Sequence, residues 1–404
     1  MMPTLDSFDV RGKTILLRLD LNSPYDAKKK RIFDDERIKY APVTIRELAS
    51  KNAKTVILAH QGRKGGDDFI SLEQHAKLLE KHLKKPVGFV DDVAGEKAKA
   101  AIRSMKPGEV LLLDNVRFLD DETDEKKAAE GSSSIVKELA PLSDLFVNDA
   151  FSVSHRAHAS VIGFASVLPS CFGRLMEKEL KSVEKIFEHE ESSVLILGGA
   201  KSDECIRILD HIFRTNPGII SHTLLCGVTA NIFLKASGIE IGKKSEGLIW
   251  DKILWNQVEI SKELLERHSK KIILPGDVAI ESDRKRKEIP VTKVPKDAGI
   301  LDIGTGTIKK YEKIIRKAKT IIVKGPAGLY EDKRFSKGTK RIFACVAASR
   351  AYSVIGGGDT TEALDKLKIS KKKISHISLG GGALIDYLSG EPMPGIEVIN
   401  KGRQ

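Results

Sequence analysis

"TILLRLDLNS", residues 14–23, runs an apolar stretch of strand length straight into an aspartate, an asparagine and a serine. A strand buried on both faces of a parallel sheet reads this way, with its polar residues delivered at the carboxyl end. The same grammar recurs in "KTVILAH" (54–60), "EVLLLDN" (109–115) and "DLFVNDA" (144–150). Between them, "YAPVTIRELASK", "LEQHAKLLEKHLK" and "SIVKELAPL" space their apolar residues by three and four, the period of an amphipathic helix. The second half repeats the pattern in "SSVLILGG" (192–199), "HTLLCGV" (222–228), "KIILPGD" (271–277), "KTIIVKG" (319–325), "AYSVIGG" (351–357) and "SHISLGG" (375–381). Strands alternating with crossover helices predict an α/β protein made of two doubly wound, parallel-sheet, Rossmann-like domains.

A chain of 404 residues suits two such domains. The expected boundaries are 1–170 for the first domain, 171–191 for a connecting hinge helix and 192–385 for the second domain. The helix rests on "GRLMEKELKSVEKIFEHEES". Residues 386–404 carry two prolines and are expected to pack back on the first domain as a tail.

Hydrophobic residues at 41% and charged residues at 31% fit a globular chain, and no run approaches the roughly twenty apolar residues a bilayer requires. The apolar run near the N-terminus is broken by Arg18 and Asp20 and has no small-residue cleavage site behind it, so a cytoplasmic location is expected. Cys171, Cys205, Cys226 and Cys345 are scattered, without metal-site pairs or disulfide density. They are read as reduced thiols. The net charge of +12 fits either nucleic acid or small polyanions as partners. Aromatic residues at 5% are too sparse for stacking along a single strand, and runs such as "KISKKKIS" and "ESDRKRKEIP" read as solvated faces. No nucleic-acid or membrane partner is expected, and a monomer is favoured over a homodimer.

Ligands of open parallel sheets bind beyond the carboxyl ends of the strands. First-half strand ends bring Asp20, Asn22, His60, Arg63, Arg117, His155 and Arg156 to one rim. Guanidinium forks match phosphate and carboxylate geometry, which makes this rim a socket for a small, multiply charged anion. Second-half strands end instead in glycine: "GGAKSDE" (198–204), "CGVTAN" (226–231), "KGPAGLYED" (324–332), "GGGDTTEA" (356–363) and "GGGALID" (380–386). Glycine lets backbone N–H groups approach phosphates, and a helix starting straight afterwards adds its positive end. The P-loop pattern and a convincing G-x-G-x-x-G are both absent. An anion socket in one half and a phosphate cradle in the other form the layout of a phosphoryl-transfer enzyme, in which positioning and charge neutralisation do most of the work.

The order and wording of these motifs resemble the phosphoglycerate kinase family from about residue 7 to about residue 396. "LLRLDLNSP", "HQGRKGG", "LLLDNVRF" and "VNDAFSVSHRAHAS" are similar to its first-half signatures, and "GGAK", "KGPAGLYE", "FSKGTK", "IGGGDTTEA" and "ISHISLGGGA" follow its second-half order. The resemblance implies reversible phosphoryl transfer between ATP and the carboxylate of 3-phosphoglycerate, giving 1,3-bisphosphoglycerate and ADP in glycolysis and gluconeogenesis. It implies direct in-line transfer after hinge closure, with Mg²⁺ carried on the nucleotide. It also implies 3-phosphoglycerate binding by Asp20, Leu21, Asn22, Arg37, His60, Gln61, Gly62, Arg63, Arg117 and Arg156. Nucleotide contacts fall to Lys201, Glu331, Gly357, Gly358, Asp359 and Thr360, with Asp359 beside the metal. Arg37, Lys201 and Gly381 are implied at the moving phosphoryl group. Four places depart from the family's pattern. Cys205 stands where a second lysine is common, leaving Arg207 or Lys324 as substitutes, Lys324 itself stands where asparagine is common before Gly-Pro, "CGVTAN" replaces a G-G-G-M-A turn, and "SLGGG" replaces S-T-G-G-G.

Two other readings compete. A non-catalytic binder of nucleotide or nucleic acid draws on the charge and on Cys205, but it leaves the anion-socket residues without a purpose. A metal hydrolase built on His155 and His158 has only Asp149 nearby to complete a ligand set. The histidines are read as hydrogen-bonding groups that shape the loop, and Asp149 as a residue that orients it.

Overall fold

The computed structural model describes residues 2–186, 192–251 and 254–401. Contacts divide the chain into two compact units, Met1–Lys181 with Pro392–Gln404, and Ser182–Glu391. The chain passes from the first to the second within the helix Arg174–Glu184.

Seven strands precede that helix's own approach strand. They are β1 (Thr14–Arg18), β2 (Tyr25–Asp26), β3 (Arg31–Ile32), β4 (Lys54–Leu58), β5 (Gly88–Val90), β6 (Val110–Leu113) and β7 (Leu145–Asn148), followed by β8 (Ser170–Phe172). Six form one parallel sheet in the order β5-β6-β4-β1-β7-β8, and β2 and β3 make a small antiparallel ribbon. Every residue of β1, β6 and β7 is buried, as a strand covered by helices on both faces requires. From β1 the chain winds to one side through β4, then crosses to β7 on the other. Residues following β1 and β7 therefore share the switch point where ligands of such sheets bind.

Residues 171 and 172, expected in the connecting helix, instead pair with β7 as part of β8, and the helix starts at Arg174. Its expected continuation over 187–191 lies outside the described residues. The returning tail begins at Pro392 rather than 386, because the helix Gly381–Leu388 belongs to the second unit. The tail's helix, Pro394–Lys401, buries Ile396 and Ile399, and the Asn148 side chain donates to the Gly395 carbonyl at 3.0 Å. Residues 402–404 of the tail lie outside the described residues.

The second unit contains β9 (Ser193–Leu197), β10 (His222–Leu225), β11 (Ile272–Ile273), β12 (Asp277–Ser282), β13 (Lys285–Pro290), β14 (Ile300–Ile303), β15 (Thr320–Lys324), β16 (Tyr352–Gly356) and β17 (His376–Ile377). Its parallel sheet runs β11-β10-β9-β15-β16-β17, the doubly wound Rossmann order, with the switch between β9 and β15. The expectation of two doubly wound sheets thus holds. A third, antiparallel sheet, β13-β12-β14, was not expected. "ESDRKRKEIP", read as a solvated face, is the turn and return strand of a hairpin. Asp283 and Arg284 both take positive φ (51° and 60°), the two-residue turn geometry that matches strand twist.

Candidate active site

In the first unit the switch point is built outward from a buried arginine. Arg18, in the middle of an apolar strand, is 1% exposed and donates through Nε to Ser160 Oγ at 2.9 Å and through Nη1 to the Leu19 carbonyl. Ser160 donates to Glu122 at 2.6 Å, so a carboxylate faces the guanidinium across one hydroxyl. Burial pushes the Glu122 carboxyl up to about 7, against the pull of Arg18.

Above this base lies the rim expected from the strand ends. Arg37 donates to Asp20 at 2.6 Å and to the Asn22 carbonyl at 3.2 Å. Asp20 also accepts from Ser152 in the loop after β7, so residues from two strand ends fix one carboxylate. Asn22 accepts from the Gly62 N–H at 2.9 Å, and Arg117 donates to the Gly62 carbonyl. Gly62 has φ +67°, and a Cβ there would sit 2.4 Å from the Asp68 carbonyl oxygen, so only glycine fits. Arg156 donates to His155 at 3.2 Å, and Arg63 is exposed.

These cations crowd one another. Burial and the neighbouring Arg156 and Arg18 bring the Arg117 guanidinium down to about 10, and Arg156 is lowered by burial and by Arg63 and Arg37. Burial, then Arg18, Arg117, Arg156 and Arg37, holds His60 well below the usual histidine range. His158 is pushed down to about 3, again chiefly by burial. The rim is a concentration of positive charge with few anions inside it, which an incoming polyanion would relieve.

Two expected ligands belong to the scaffold. The Leu21 side chain is fully buried in the hydrophobic core, which leaves only its backbone for a ligand. Gln61 is engaged throughout the loop: its Oε1 accepts from Ser23 N and meets His75 at 3.0 Å, its Nε2 donates to Ser23 O, and its backbone pairs with the Asn115 amide. Asp149 likewise faces away from chemistry. It is buried, accepts from the Thr44 hydroxyl and from the Met176 N–H at 2.9 Å, and so caps the helix Arg174–Glu184. No cluster of three or more His, Cys, Asp or Glu side chains among the described residues is placed to hold a metal, and the His155/His158 pair does not form one.

In the second unit the loops after β9, β15, β16 and β17 converge in pairs. A Cβ on Gly325 would lie 2.2 Å from the Gly198 carbonyl oxygen, and one on Gly381 would lie 2.6 Å from the backbone of Gly357. The glycines therefore let four loops touch. Beside them opens a cavity of about 270 Å³ whose floor is apolar, with Val228, Val278 and Leu329 on its walls and Glu331 and Asp359 on its margin. Such a shape holds a flat, apolar ring system and leaves the polar margin for sugar and phosphate. Helices begin at Ser202, Gly227, Gly358 and Gly381 at the sheet's carboxyl edge; the Gly227 start is already paired, its N–H donating to the Ala327 carbonyl at 3.1 Å and that of Val228 to the Gly199 carbonyl at 3.0 Å, so the starts at Ser202, Gly358 and Gly381 are the ones that can meet an anion. Lys201 Nζ lies 3.7 Å from Asp359, both largely exposed. Asp359 is thus a single exposed carboxylate, loosely paired with Lys201, beside the glycine-rich helix starts, a donor set that fits Mg²⁺ completed by phosphate and water oxygens. Thr360 is buried and its hydroxyl is committed, accepting from Gly325 N at 2.8 Å and donating to the Gly356 carbonyl at 3.0 Å.

Cys205 is fully buried, its thiol 3.5 Å from the Gly198 carbonyl and raised to about 11 by burial. Its side chain is packed under the loop and does not reach the cradle. Of the two substitutes considered, Lys324 ends β15 in a 2.6 Å ion pair with Glu204, and Arg207 pairs with Glu391 at 3.3 Å on the surface.

Residues 5–391 match the family model described as phosphoglycerate kinase. The chain belongs to the phosphoglycerate kinase family. Among its curated relatives, the phosphoglycerate kinase of Methanosarcina mazei is 46% identical over 98% of this chain and 94% of its own length, and that of Methanothermus fervidus is 43% identical over 99% and 97%. The crystal structure of phosphoglycerate kinase from Pyrococcus horikoshii superposes with a TM-score of 0.88 at 32% identity, covering 100% of this chain and 99% of that one. The Coxiella burnetii phosphoglycerate kinase structure gives 0.82 at 31% identity, covering 99% of each chain. As a family member the chain is a kinase of glycolysis, a phosphotransferase with a carboxyl group as acceptor. No helix among the described residues is long and apolar enough to cross a membrane.

Sequence reasoning missed the buried groups beneath both half-sites. Arg18 left one signal, a charged residue inside an otherwise apolar strand. Asp302 left none. It is buried below the cavity, raised to about 6 by burial, and held by Arg286 at 2.7 Å and by the Gly338 N–H at 2.8 Å.

Proposed function

We propose that the protein transfers the terminal phosphoryl group between ATP and the carboxylate of 3-phosphoglycerate. Asp20, Asn22, Arg37, His60, Gly62, Arg63, Arg117, Arg156 and the Leu21 backbone hold the acid on the first unit. Lys201, Glu331, Gly357, Gly358, Asp359 and the Thr360 backbone hold the nucleotide on the second. The observation that carries the reading is the Arg37–Asp20 pair at 2.6 Å, because it fixes a half-exposed guanidinium among the other cations of the rim. Arg37 is then held ready for charge that develops on the moving group, with no reorganisation required at the moment of transfer.

The acceptor carboxylate is already ionised near neutral pH, so no side chain has to remove a proton. Positioning and neutralisation remain. Lys201 and the helix start at Gly381 stabilise the transferring oxygens, and in-line attack follows closure of the two units about their connecting helix, which excludes competing water. Asp359 would hold, on the protein side, the Mg²⁺ carried by the nucleotide, which would supply further charge neutralisation when bound. The working state is a cytoplasmic monomer that uses neither nucleic acid nor membrane.

Purified protein given MgATP and 3-phosphoglycerate should form an acyl phosphate, trapped as a hydroxamate or followed by coupled NADH oxidation. Other phosphorylated acids serve as a specificity panel. Arg37→Ala should lose at least about a hundredfold in kcat. Normal turnover in that variant refutes the role given to Arg37, and salt-dependent DNA or RNA binding without turnover would favour the non-catalytic reading.

A further inference from the structure

His60 is 3% exposed, and its Nδ1 lies 3.2 Å from Nη2 of Arg18. A guanidinium carries only donors, so this contact holds only if Nδ1 accepts. A neutral imidazole has one accepting and one donating nitrogen, which places the proton on Nε2. We infer that Arg18 is a positioning residue that locks His60 in the neutral Nε2–H tautomer, so that His60 presents a hydrogen-bond donor, and neither a base nor a cation, to the phosphorylated acid.

Arg18 is itself held so that it cannot turn away. Its Nε is taken by Ser160, its Nη1 by the Leu19 carbonyl, and Ser160 passes its own hydrogen to Glu122 at 2.6 Å while the Ser160 N–H reaches the other Glu122 oxygen at 3.0 Å. Serine, with one hydrogen, can accept from Arg18 and donate to Glu122 only in this direction. These contacts fix the plane of the guanidinium, and because it carries only donors the bond to His60 runs from Nη2 to Nδ1. The surrounding arginines work the same way, since a second proton on His60 would add a cation to their cluster. A neutral donor extends the rim's hydrogen bonding without extending its repulsion.

This inference rests on the reading of His60 as a 3-phosphoglycerate contact, and the test separates the two. Long-range ¹H–¹⁵N spectra of the full-length protein, with His60 assigned by its loss in His60→Ala, should show a pyridine-like Nδ1 and a pyrrole-like Nε2. A protonated Nδ1, or the averaged shifts of exchanging tautomers, overturns the role of Arg18. Arg18→Met should mix the tautomers and raise KM for 3-phosphoglycerate about tenfold while leaving KM for MgATP within about twofold. Unchanged tautomer in a folded Arg18→Met also overturns it, and should that variant fail to fold, the wild-type spectrum decides alone. If His60→Ala leaves KM for 3-phosphoglycerate unchanged, His60 is not a substrate contact, whatever its tautomer. If KM rises and the spectrum shows Nδ1–H, only the assignment to Arg18 falls.

Discussion

Replacing Asp149 tests whether the loop after β7 is a support or a reacting element. The carboxylate takes the Thr44 hydroxyl and the Met176 N–H, and Thr44 in turn accepts from the Arg174 N–H at 3.0 Å. Asp149→Ala therefore removes a helix cap, worth about 1 kcal/mol, and strands buried donors at about 1–3 kcal/mol more. The sum is roughly 2–4 kcal/mol, or on the order of 1 M in urea midpoint at ~2–3 kcal/mol per M. Asp149→Asn keeps one accepting oxygen and should cost less. The pH dependence adds a signed check. Burial raises the Asp149 carboxyl from 3.8 to about 6, so the stability it contributes is full below the unfolded value and is lost as pH rises through the folded one. The wild type should lose on the order of 3 kcal/mol from this group across that window, at about 1.4 kcal/mol per unit, and Asp149→Asn should not. The stability gap between the two proteins then narrows with rising pH. Both tryptophans, Trp250 and Trp255, lie in the second unit, so circular dichroism follows the whole chain while tryptophan emission follows that unit alone. An Asp149→Ala protein whose dichroism midpoint coincides with the wild type, or which shifts only the tryptophan transition, refutes the reasoning.

Gly381→Ala places a Cβ 2.6 Å from the Gly357 backbone, so it should cost about 1–3 kcal/mol in thermal unfolding and raise KM for MgATP but not for 3-phosphoglycerate. Equal rises in both constants would count against the loop's assignment. Cys205→Lys, which restores the family's commoner residue, should destabilise by about 3 kcal/mol or more, because the position is fully buried and close to Lys324. Wild-type stability with a lowered KM for MgATP would show that the lysine finds a phosphate after all. Glu288 is held at about 2: burial opposes this, but hydrogen bonds from Thr305 and Lys337 outweigh it. Its contribution is present above the unfolded value of 4.5 and is lost as pH falls toward 2, so Glu288→Gln should flatten acid unfolding by about 2 kcal/mol. An unchanged acid limb would rule that ion pair out as a stabiliser.

The strand ends were legible because a parallel strand buried on both faces has to be apolar, which makes the polar residue after it conspicuous. Asp20, Asn22, His60, Arg117 and Arg156 stood out for that reason. The hairpin β12–β13 was not legible, since Lys285, Arg286 and Lys287 in succession look solvated although Arg286 turns inward to Asp302. Gln61 came from the resemblance alone, and its sequence position does not announce the pairing with Ser23, His75 and Asn115 by which it holds the loop in place. Arg37 follows no strand of the main sheet, so its place beside Asp20 depends on a helix, Glu36–Tyr40, that periodicity over five residues cannot announce.

The two half-sites reach their chemistry by opposite means. On the first unit, side chains supply the charge, and each is tied down by a neighbour: Arg37 by Asp20, Arg117 by Gly62, Arg156 by His155. On the second, side chains are mostly withheld, and glycine contacts at distances no Cβ tolerates expose helix starts instead. On the proposed reading, the difference follows from what each ligand would bring. A small acid with two anionic ends has little apolar surface to bury, so its affinity has to come from fixed cations, at roughly 1.5–3 kcal/mol per charged hydrogen bond. A nucleotide brings a flat ring that an apolar cavity can bury, leaving its phosphates to backbone N–H groups. Burial first, and the neighbouring guanidinium groups second, disfavour charge on Arg117 and Arg156, and an anion bound among them offsets both effects. Neutral His60 belongs to the same logic, because among these arginines a donor without charge adds affinity at the least cost to the empty site.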